Sequence, residues 1–422
     1  MKTVFVKDVS GMYCYVAERL AQDGLNVLYY VPNCEDSYLT ADRDEIGTGI
    51  KGVTKVYDMW PYVSTYPKKN DIDFFYYPDV GYGSEQRHLE ALGYRVGGSK
   101  ASEILEIDKK KFNEVLKSVG LAVPHTVEII GFDALRSHLE KHEDKWLKVT
   151  WKHRGLFESR HHENWAKSEE WFYKTCAKIG QHRHNMSILV QDPIPSDAEV
   201  AIDGWRVEGQ MVPGMVTGIE LKDIGFAGMI VDEMPEVIAK VEDKLSPVFE
   251  ALGYDGAYGN EIRLGKDGKS YYIDATCRVG RPPGEIHAAA FDNYGEIIRA
   301  VAGGEIPKPK YAQKYVAHVL LCSPLLCDEW LQVSYPESIS RWIRLAGFCI
   351  RDGKRWCIPD GSGETDVVGA AVGTGDSLQE ACGNALKHAG KVEAEGIEFK
   401  ADVFSEINKS IIAAKEYGID YG

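Results

Sequence analysis

The segment GNEIRLGKDGKSYYIDATCRVGRPPGE (259–285) constrains this chain more than any other. It reads as two strands joined by a Gly/Lys/Asp turn, with Glu261 on the first strand and Asp274 on the second. Positions set back equally from a hairpin turn face each other, so both carboxylates can project to one side. Like charges held that close are costly unless a cation lies between them, and Mg²⁺ takes carboxylate and phosphate oxygens together. Arg278, four residues beyond Asp274, is placed to hold a transferring phosphate or acyl phosphate. A solvated hairpin with ordinary surface charges is the other reading of the same residues.

Three further features bear on chemistry. Lys148 lies inside the apolar strand KWLKVTW, where an ammonium is costly to bury unless it meets an anion; facing water from an alternating strand is the alternative. In ILVQDPIPSDAEVAIDG (188–204), a strand runs to Asp192, a Pro-broken hinge containing Ile194 follows, and a second strand carries Glu199. Backbone groups of such a hinge can read an adenine edge, and a carboxylate can bind ribose hydroxyls. Lys109 belongs to a run of three lysines in EIDKKKFNEVLKSVG, a pattern that usually marks a solvated helix face.

The remainder of the chain supplies the frame. A length of 422 residues predicts two or three domains. Short strands at 3–6, 25–31, 71–79 and 94–98 alternate with helices at 12–23 and 84–92, which predicts a parallel, helix-covered sheet over 1–98. That region lacks GxGxxG, which argues against a dinucleotide-dependent oxidoreductase. A helix pair over 99–120 stops at Gly120, ahead of Pro124. Strands and two helices over 126–205 form a second α/β unit, and a helix is expected at 234–252. A Pro- and Lys-bearing linker occupies 303–315, and strands plus one long helix at 377–391 fill 316–403. That last helix opens on Ser377 and Glu380, at capping-box spacing.

The formal net charge of −15 argues against a nucleic-acid binder working by broad phosphate neutralisation. No apolar run reaches the length of a membrane span, and the first residues read as a strand and helix rather than a signal peptide. Nine scattered cysteines without a CxxC pair read as reduced thiols, so a cytoplasmic protein is expected.

Taken in order, these elements resemble the ATP-grasp superfamily. Asp108-Lys109, lying ahead of Gly120 and Val123-Pro124, is similar to the family's "DK…G-x-P" segment. The resemblance implies an α/β chain, α+β in its ATP-grasp part. A Rossmann-like domain would span 1–98, an ATP-grasp domain 99–310 with a lid at about 126–205, and a small C-terminal domain 311–422. It implies that Lys109, Lys148, Asp192, Ile194, Glu199 and Lys222 bind ATP, and that Glu261 and Asp274 hold Mg²⁺ or Mn²⁺. Arg278 and Lys148 would be catalytic, and Arg281 and Glu285 would touch the substrate.

Within that superfamily the chain most resembles the phosphoribosylamine–glycine ligases. RVGRPPGE (278–285) is similar to their "R-x-G-D-P-E" stretch, GIELKDIGFAGMI (218–230) to "D-x-K…GGMG", and 367–403 to their last domain. The departures are Thr276 in place of a metal-binding Asn, WKHRGLFESRHHEN (151–164) in place of a glycine-rich loop, KDVSGMYCYVAE (7–18) in place of "GxGGREHA", and no "GGR" turn near 364–369. The resemblance implies an ATP-dependent carboxylate–amine ligase working through an acyl phosphate. Glycine or another small amino acid would be the carboxylate donor, and a phosphoribosylamine-like or other amine the acceptor. An ATP-binding protein of the same fold without ligase turnover is the alternative. The partners implied are small molecules, in a monomer or homodimer.

Overall fold

Apolar strands alternating with amphipathic helices in the first hundred residues build a five-stranded parallel sheet. Its order is Val53–Lys55, Asn26–Tyr30, Thr3–Lys7, Ile72–Tyr76, Val96–Gly97. The computed structural model describes residues 2–32, 40–63, 72–150, 159–359 and 366–422. Both faces of this sheet are covered, as parallel pairing requires. Val4, Val6, Val27, Phe74 and Tyr76 pack on the side of the helix Cys14–Gln22. Phe5, Leu28, Phe75 and Tyr77 pack on the other side, with Leu89 of the helix Gly83–Ala91.

A second, antiparallel sheet has the order Thr126–Ile130, Ser187–Gln191, Lys145–Val149, Ser159–His162. The helices Phe132–Leu139 and Trp165–Ile179 close one face of it around Leu147, Ile188 and Val190. Strand residues alternate in direction, so burial of Leu147 on that face turns Lys148 to the opposite one. The loop expected over 151–164 is in part a strand, Ser159–His162, paired with Lys145–Lys148; residues 151–158 lie outside the described residues.

The largest sheet has nine strands. Along its main path run Ser270–Thr276, Gly256–Gly265, Ser196–Val207, Met215–Leu221, Gly225–Val231, Tyr315–Cys322, Val367–Gly375 and Ile343–Leu345, with Gln210–Met211 beside Ser196–Val207. The last three strands on that path continue the hydrogen bonding of the preceding ones through the pairing of Gly225–Met229 with Tyr315–Val319. Ser377 caps the helix Leu378–Ala389 by accepting from Glu380 N at 3.2 Å, and Glu380 accepts in turn from Asp376 N at 2.8 Å. Beyond the elements expected up to 403, Val403, Ile407, Ile411 and Ala414 fall at helical spacing and are buried by a final helix, Val403–Lys415. Among the described residues, no helix is long and apolar enough to cross a membrane.

Behind the central sheet, the helix Glu236–Ala251 packs against Tyr258, Ile262 and Tyr272. A polar cluster is sealed there. Arg206 and Glu242 pair with no side-chain exposure, and Glu242 also accepts from Tyr258 at 3.1 Å and from Asn260. The Arg206 guanidinium lies 4.1 Å from the Tyr258 ring centre. Removing one member of a buried ion pair leaves its partner uncompensated. Glu242→Leu is expected to cost roughly 3–5 kcal/mol in urea unfolding, and Arg206→Leu/Glu242→Leu to recover much of that loss. A double variant no more stable than the single one would show that the pair is not the source of the penalty.

Candidate active site

The four-stranded sheet and the central sheet face each other across a cleft of about 470 Å³. Its floor follows from register. Glu261 is paired with Asp274 on one side and with Ala201 on the other, and Glu199 is paired with Arg263. Directly paired antiparallel residues share a face. Glu199, Asp203, Glu261, Arg263 and Asp274 therefore all line the cleft, together with Glu220 and Lys222 from the end of the neighbouring strand.

Asp274 is where two lysines from separate elements meet. Lys148 Nζ is 3.4 Å from Asp274 Oδ2 and donates to the Ile273 carbonyl at 3.3 Å. Lys109 Nζ contacts Asp274 Oδ1 directly. Lys109 opens the helix Lys109–Ser118, whose first turn is capped by Asp108 accepting from Lys111 N at 2.9 Å. The Lys109 amide donates to the Thr150 carbonyl at 2.8 Å, which ties the helix start to the end of the strand Lys145–Val149. The three consecutive lysines thus divide: Lys110 and Lys111 are 51% and 54% exposed and Lys109 only 15%. Lys148 is buried as well, so neither lysine takes the water-facing alternative.

These contacts separate the two carboxylates electrostatically. Burial opposes ionisation of Asp274, but Lys109 and then Lys148 outweigh it and hold the group well below the usual carboxylate range. Glu261 is pushed up to about 7, first by burial and then by the charges of Asp274 and Glu199. Burial, then Glu261, raises Asp203, and burial, Glu261 and Asp203 raise Glu220. A row of acids across adjacent strands is therefore held with too little positive charge. The described residues offer no group of three or more His, Cys, Asp or Glu side chains arranged to hold a metal. The pair Glu261 and Asp274 fits a divalent ion whose remaining ligands come from phosphate oxygens and water.

The nucleotide-directed residues of the sequence reading also reach this cleft. Asp192 follows the strand Ser187–Gln191 directly; it accepts from Lys145 Nζ at 2.9 Å and lies 3.4 Å from His125 Nδ1. Ile194 lines the wall beside it, and Glu199 is held by Arg263. At the opposite end, Arg278 donates from Nε to Glu106 Oε1 at 2.8 Å and from Nη1 to Tyr13 Oη at 2.9 Å. Arg281 lines the cleft and donates from Nε to Glu285 at 3.4 Å. Glu285 itself is 2% exposed and stands behind Arg281, with His318 Nε2 at 3.8 Å. Thr276 is paired with Gly259 at the strand end and also lines the cleft.

Sequence reasoning did not single out Lys145, Arg263, Glu106, Asp203 or Glu220. Asp203 was within reach, because it shares the strand parity of Glu199. Glu106 had no local signal: it acts by accepting from Arg278 and from the Cys277 amide at 2.8 Å, contacts made across more than 170 residues of chain.

No family model matches this chain, and no curated protein sequence does. Solved structures do. The phosphoribosylamine–glycine ligase of Thermotoga maritima superposes with a TM-score of 0.68 at 18% identity, covering 95% of this chain and 99% of that one. The biotin carboxylase of Campylobacter jejuni in complex with β-γ-ATP gives 0.64 at 13% identity, over 94% and 92% of the two chains. The L-amino acid ligase of Bacillus licheniformis gives 0.59 at 14% identity, over 95% and 99%. All three are ATP-grasp proteins, and the fold of this chain is the ATP-grasp fold that the order of its segments implied.

Proposed function

We propose that this chain is an ATP-dependent carboxylate–amine ligase that forms an amide through an acyl phosphate. The observation that carries this reading is the convergence of Lys109 and Lys148 on Asp274, opposite a Glu261 short of positive charge. Such a site is incomplete until phosphate oxygens and a cation enter it together.

The residues take the following parts. Backbone groups of the hinge at Asp192 and Ile194 meet the adenine edge, and Glu199, oriented by Arg263, receives ribose hydroxyls. Lys148, Lys109 and Lys222 meet the phosphates. Glu261 and Asp274 would hold Mg²⁺ or Mn²⁺, which when bound offsets negative charge on the phosphate oxygens. An oxygen of the donor carboxylate attacks the γ-phosphorus. The bond from that phosphorus to the bridging oxygen breaks, and its electron pair leaves with ADP. The amine nitrogen then attacks the acyl carbon, inorganic phosphate leaves, and the nitrogen loses a proton. Arg278 stabilises the acyl phosphate, and Glu106 and Tyr13 keep its guanidinium in place. Arg281, oriented by Glu285, receives the carboxylate donor, glycine or another small amino acid. The acceptor is a phosphoribosylamine-like or other amine. The protein contributes position and preorganised charge, and the lid excludes water that would hydrolyse the acyl phosphate.

Two measurements test this. A screen of small amino acids against amines, read by phosphate release from ATP, is expected to require both a carboxylate and an amine. Glu261→Ala and Asp274→Ala should each lower kcat/KM by at least about 100-fold. Nucleotide turnover unchanged in both variants would sink the ligase reading.

The second test uses pH. Only ionised Glu261 can ligate a cation, and its proton is held up to about 7. The Mg²⁺ concentration needed for half-maximal nucleotide binding should fall as pH rises from about 6 to about 8, and Glu261→Gln should flatten that slope. A slope identical in wild type and variant would remove Glu261 from the metal site.

A further inference from the structure

In a parallel helix-covered sheet, the ligand crevice lies at the carboxyl ends of the strands where the strand order reverses. Here the reversal falls between Thr3–Lys7 and Ile72–Tyr76, so the crevice is bounded by the segments 8–13 and 77–82. It abuts the Arg278 end of the cleft. Tyr13 Oη donates to the Val279 carbonyl at 3.0 Å and the Val279 amide donates to the Pro78 carbonyl at 2.9 Å. Under the proposed function, this is the side from which an amine meets the acyl group.

Two helices, Cys14–Gln22 and Gly83–Ala91, begin at that edge. Free amides at helix starts are ready receptors for phosphate. In this chain the amides that lead into both helices are taken by its own carboxylates. Asp8, fully buried, accepts from the Gly11 amide at 2.8 Å and Ser10 Oγ at 3.3 Å through Oδ1. Through Oδ2 it accepts from the Tyr13 amide at 2.8 Å and Tyr29 Oη at 2.6 Å. Glu103 Oε2 accepts from the amides of Gly81 at 3.0 Å and Gly83 at 3.1 Å. Gly83 is what allows this approach, since a Cβ there would stand 2.7 Å from Glu103 Oε1. The intervening Val80 amide donates to Asp79 Oδ1 at 2.8 Å.

Among the described residues, Arg43 beside this edge donates from Nη2 to the Val9 carbonyl at 3.0 Å, and two further cations are paired with carboxylates. Lys7 donates to both oxygens of Glu85 at 2.8 and 2.9 Å beneath the Tyr82 ring, and Arg278 is held by Glu106. A phosphate carrying nearly two negative charges would have to expel a buried, hydrogen-bonded carboxylate and then face Asp79, Glu85 and Glu106.

From this arrangement we infer that the amine taken up by the site carries no phosphate. It is a neutral or cationic amine, with Asp8 and Glu103 as the residues that exclude phosphorylated acceptors. The inference rests on the ligase reading, and its test separates the two. The first measurement is calorimetric titration of the full chain with ribose 5-phosphate, while a non-hydrolysable ATP analogue fills the cleft. Wild type is expected to show no saturable binding at millimolar concentration, and Glu103→Ala, which frees the Gly81 and Gly83 amides, to bind at least about tenfold more tightly. Saturable binding by wild type overturns the inference whether or not the variant folds. The second measurement compares phosphate release from ATP with matched amines: ethanolamine against phosphoethanolamine, and serine against phosphoserine. The unphosphorylated member of each pair should have a kcat/KM at least about 100-fold higher, and equal values would overturn the inference. Failure of every pair to release phosphate counts against the ligase reading, and the titration then decides the closure of the crevice by itself.

Discussion

The register of the central antiparallel sheet is the constraint on which the rest depends. Pairing of Glu261 with Ala201 places every second residue of Ser196–Val207 and Gly256–Gly265 on one face, and its pairing with Asp274, just before a bulge in the third strand, adds Asp274 to that face. A slip of one residue would exchange that face for the other. Glu199, Asp203 and Glu261 would then enter the core, and Tyr258, Asn260 and Ile262 would enter the cleft. The opposite face resists such a slip. There Arg206 and Glu242 form a sealed pair joined by Tyr258 and Asn260, and this polar set has no other place to be satisfied. Two polar constellations on opposite faces of one hairpin thus fix the same alignment. One tolerates acids because water and ligand can reach it, and the other because each charge meets its counter-charge.

Much of this frame was legible in the sequence because it is local. A hairpin with symmetrically placed acids, a lysine in an apolar strand, and a capping pair at Ser377 and Glu380 each follow from contacts within about twenty residues. Order along the chain then gave the ATP-grasp fold. The features that escaped are those made by distant segments. Nothing near Glu106 says that it will accept from Arg278, and Lys145 gives no sign that it will meet Asp192 across a neighbouring strand. Lys109 shows the limit most clearly. Its two neighbours face solvent as a lysine run usually does, and only the position of the hairpin beneath the helix start turns the first of the three inward. The strand at Ser159–His162 lacked an apolar alternation, and its pairing with Lys145–Lys148 overrode local preference.

Charge distribution links the cleft and the crevice. The chain is strongly acidic overall, yet Lys109, Lys148, Lys222, Arg278 and Arg281 all line the cleft beside the central sheet. A few paces away, at the carboxyl edge of the parallel sheet, carboxylates occupy the amides that anions commonly use. The cations of the cleft offer donors to phosphate-bearing molecules, whereas the occupied amides of the crevice turn them away. On the proposed reading, the nucleotide has only one place to put its phosphates, and the acceptor amine approaches through surroundings that suit a neutral or positive group.

The lysines on Asp274 complete this logic. Lys109 and Lys148 need an anion and Asp274 needs a cation, so each satisfies the other. On the proposed reading a metal–nucleotide complex would exchange both partners at once: Asp274 and Glu261 would hold the metal, and the lysines would meet the phosphates. Neither half of that exchange is favourable alone, because a phosphate without the metal would confront two carboxylates and a metal without phosphate would confront two ammonium groups. The arrangement therefore favours the pair of ions over either one. That preference arises from the same side chains that join the two sheets across the cleft, and it needs no larger protein cage around the metal.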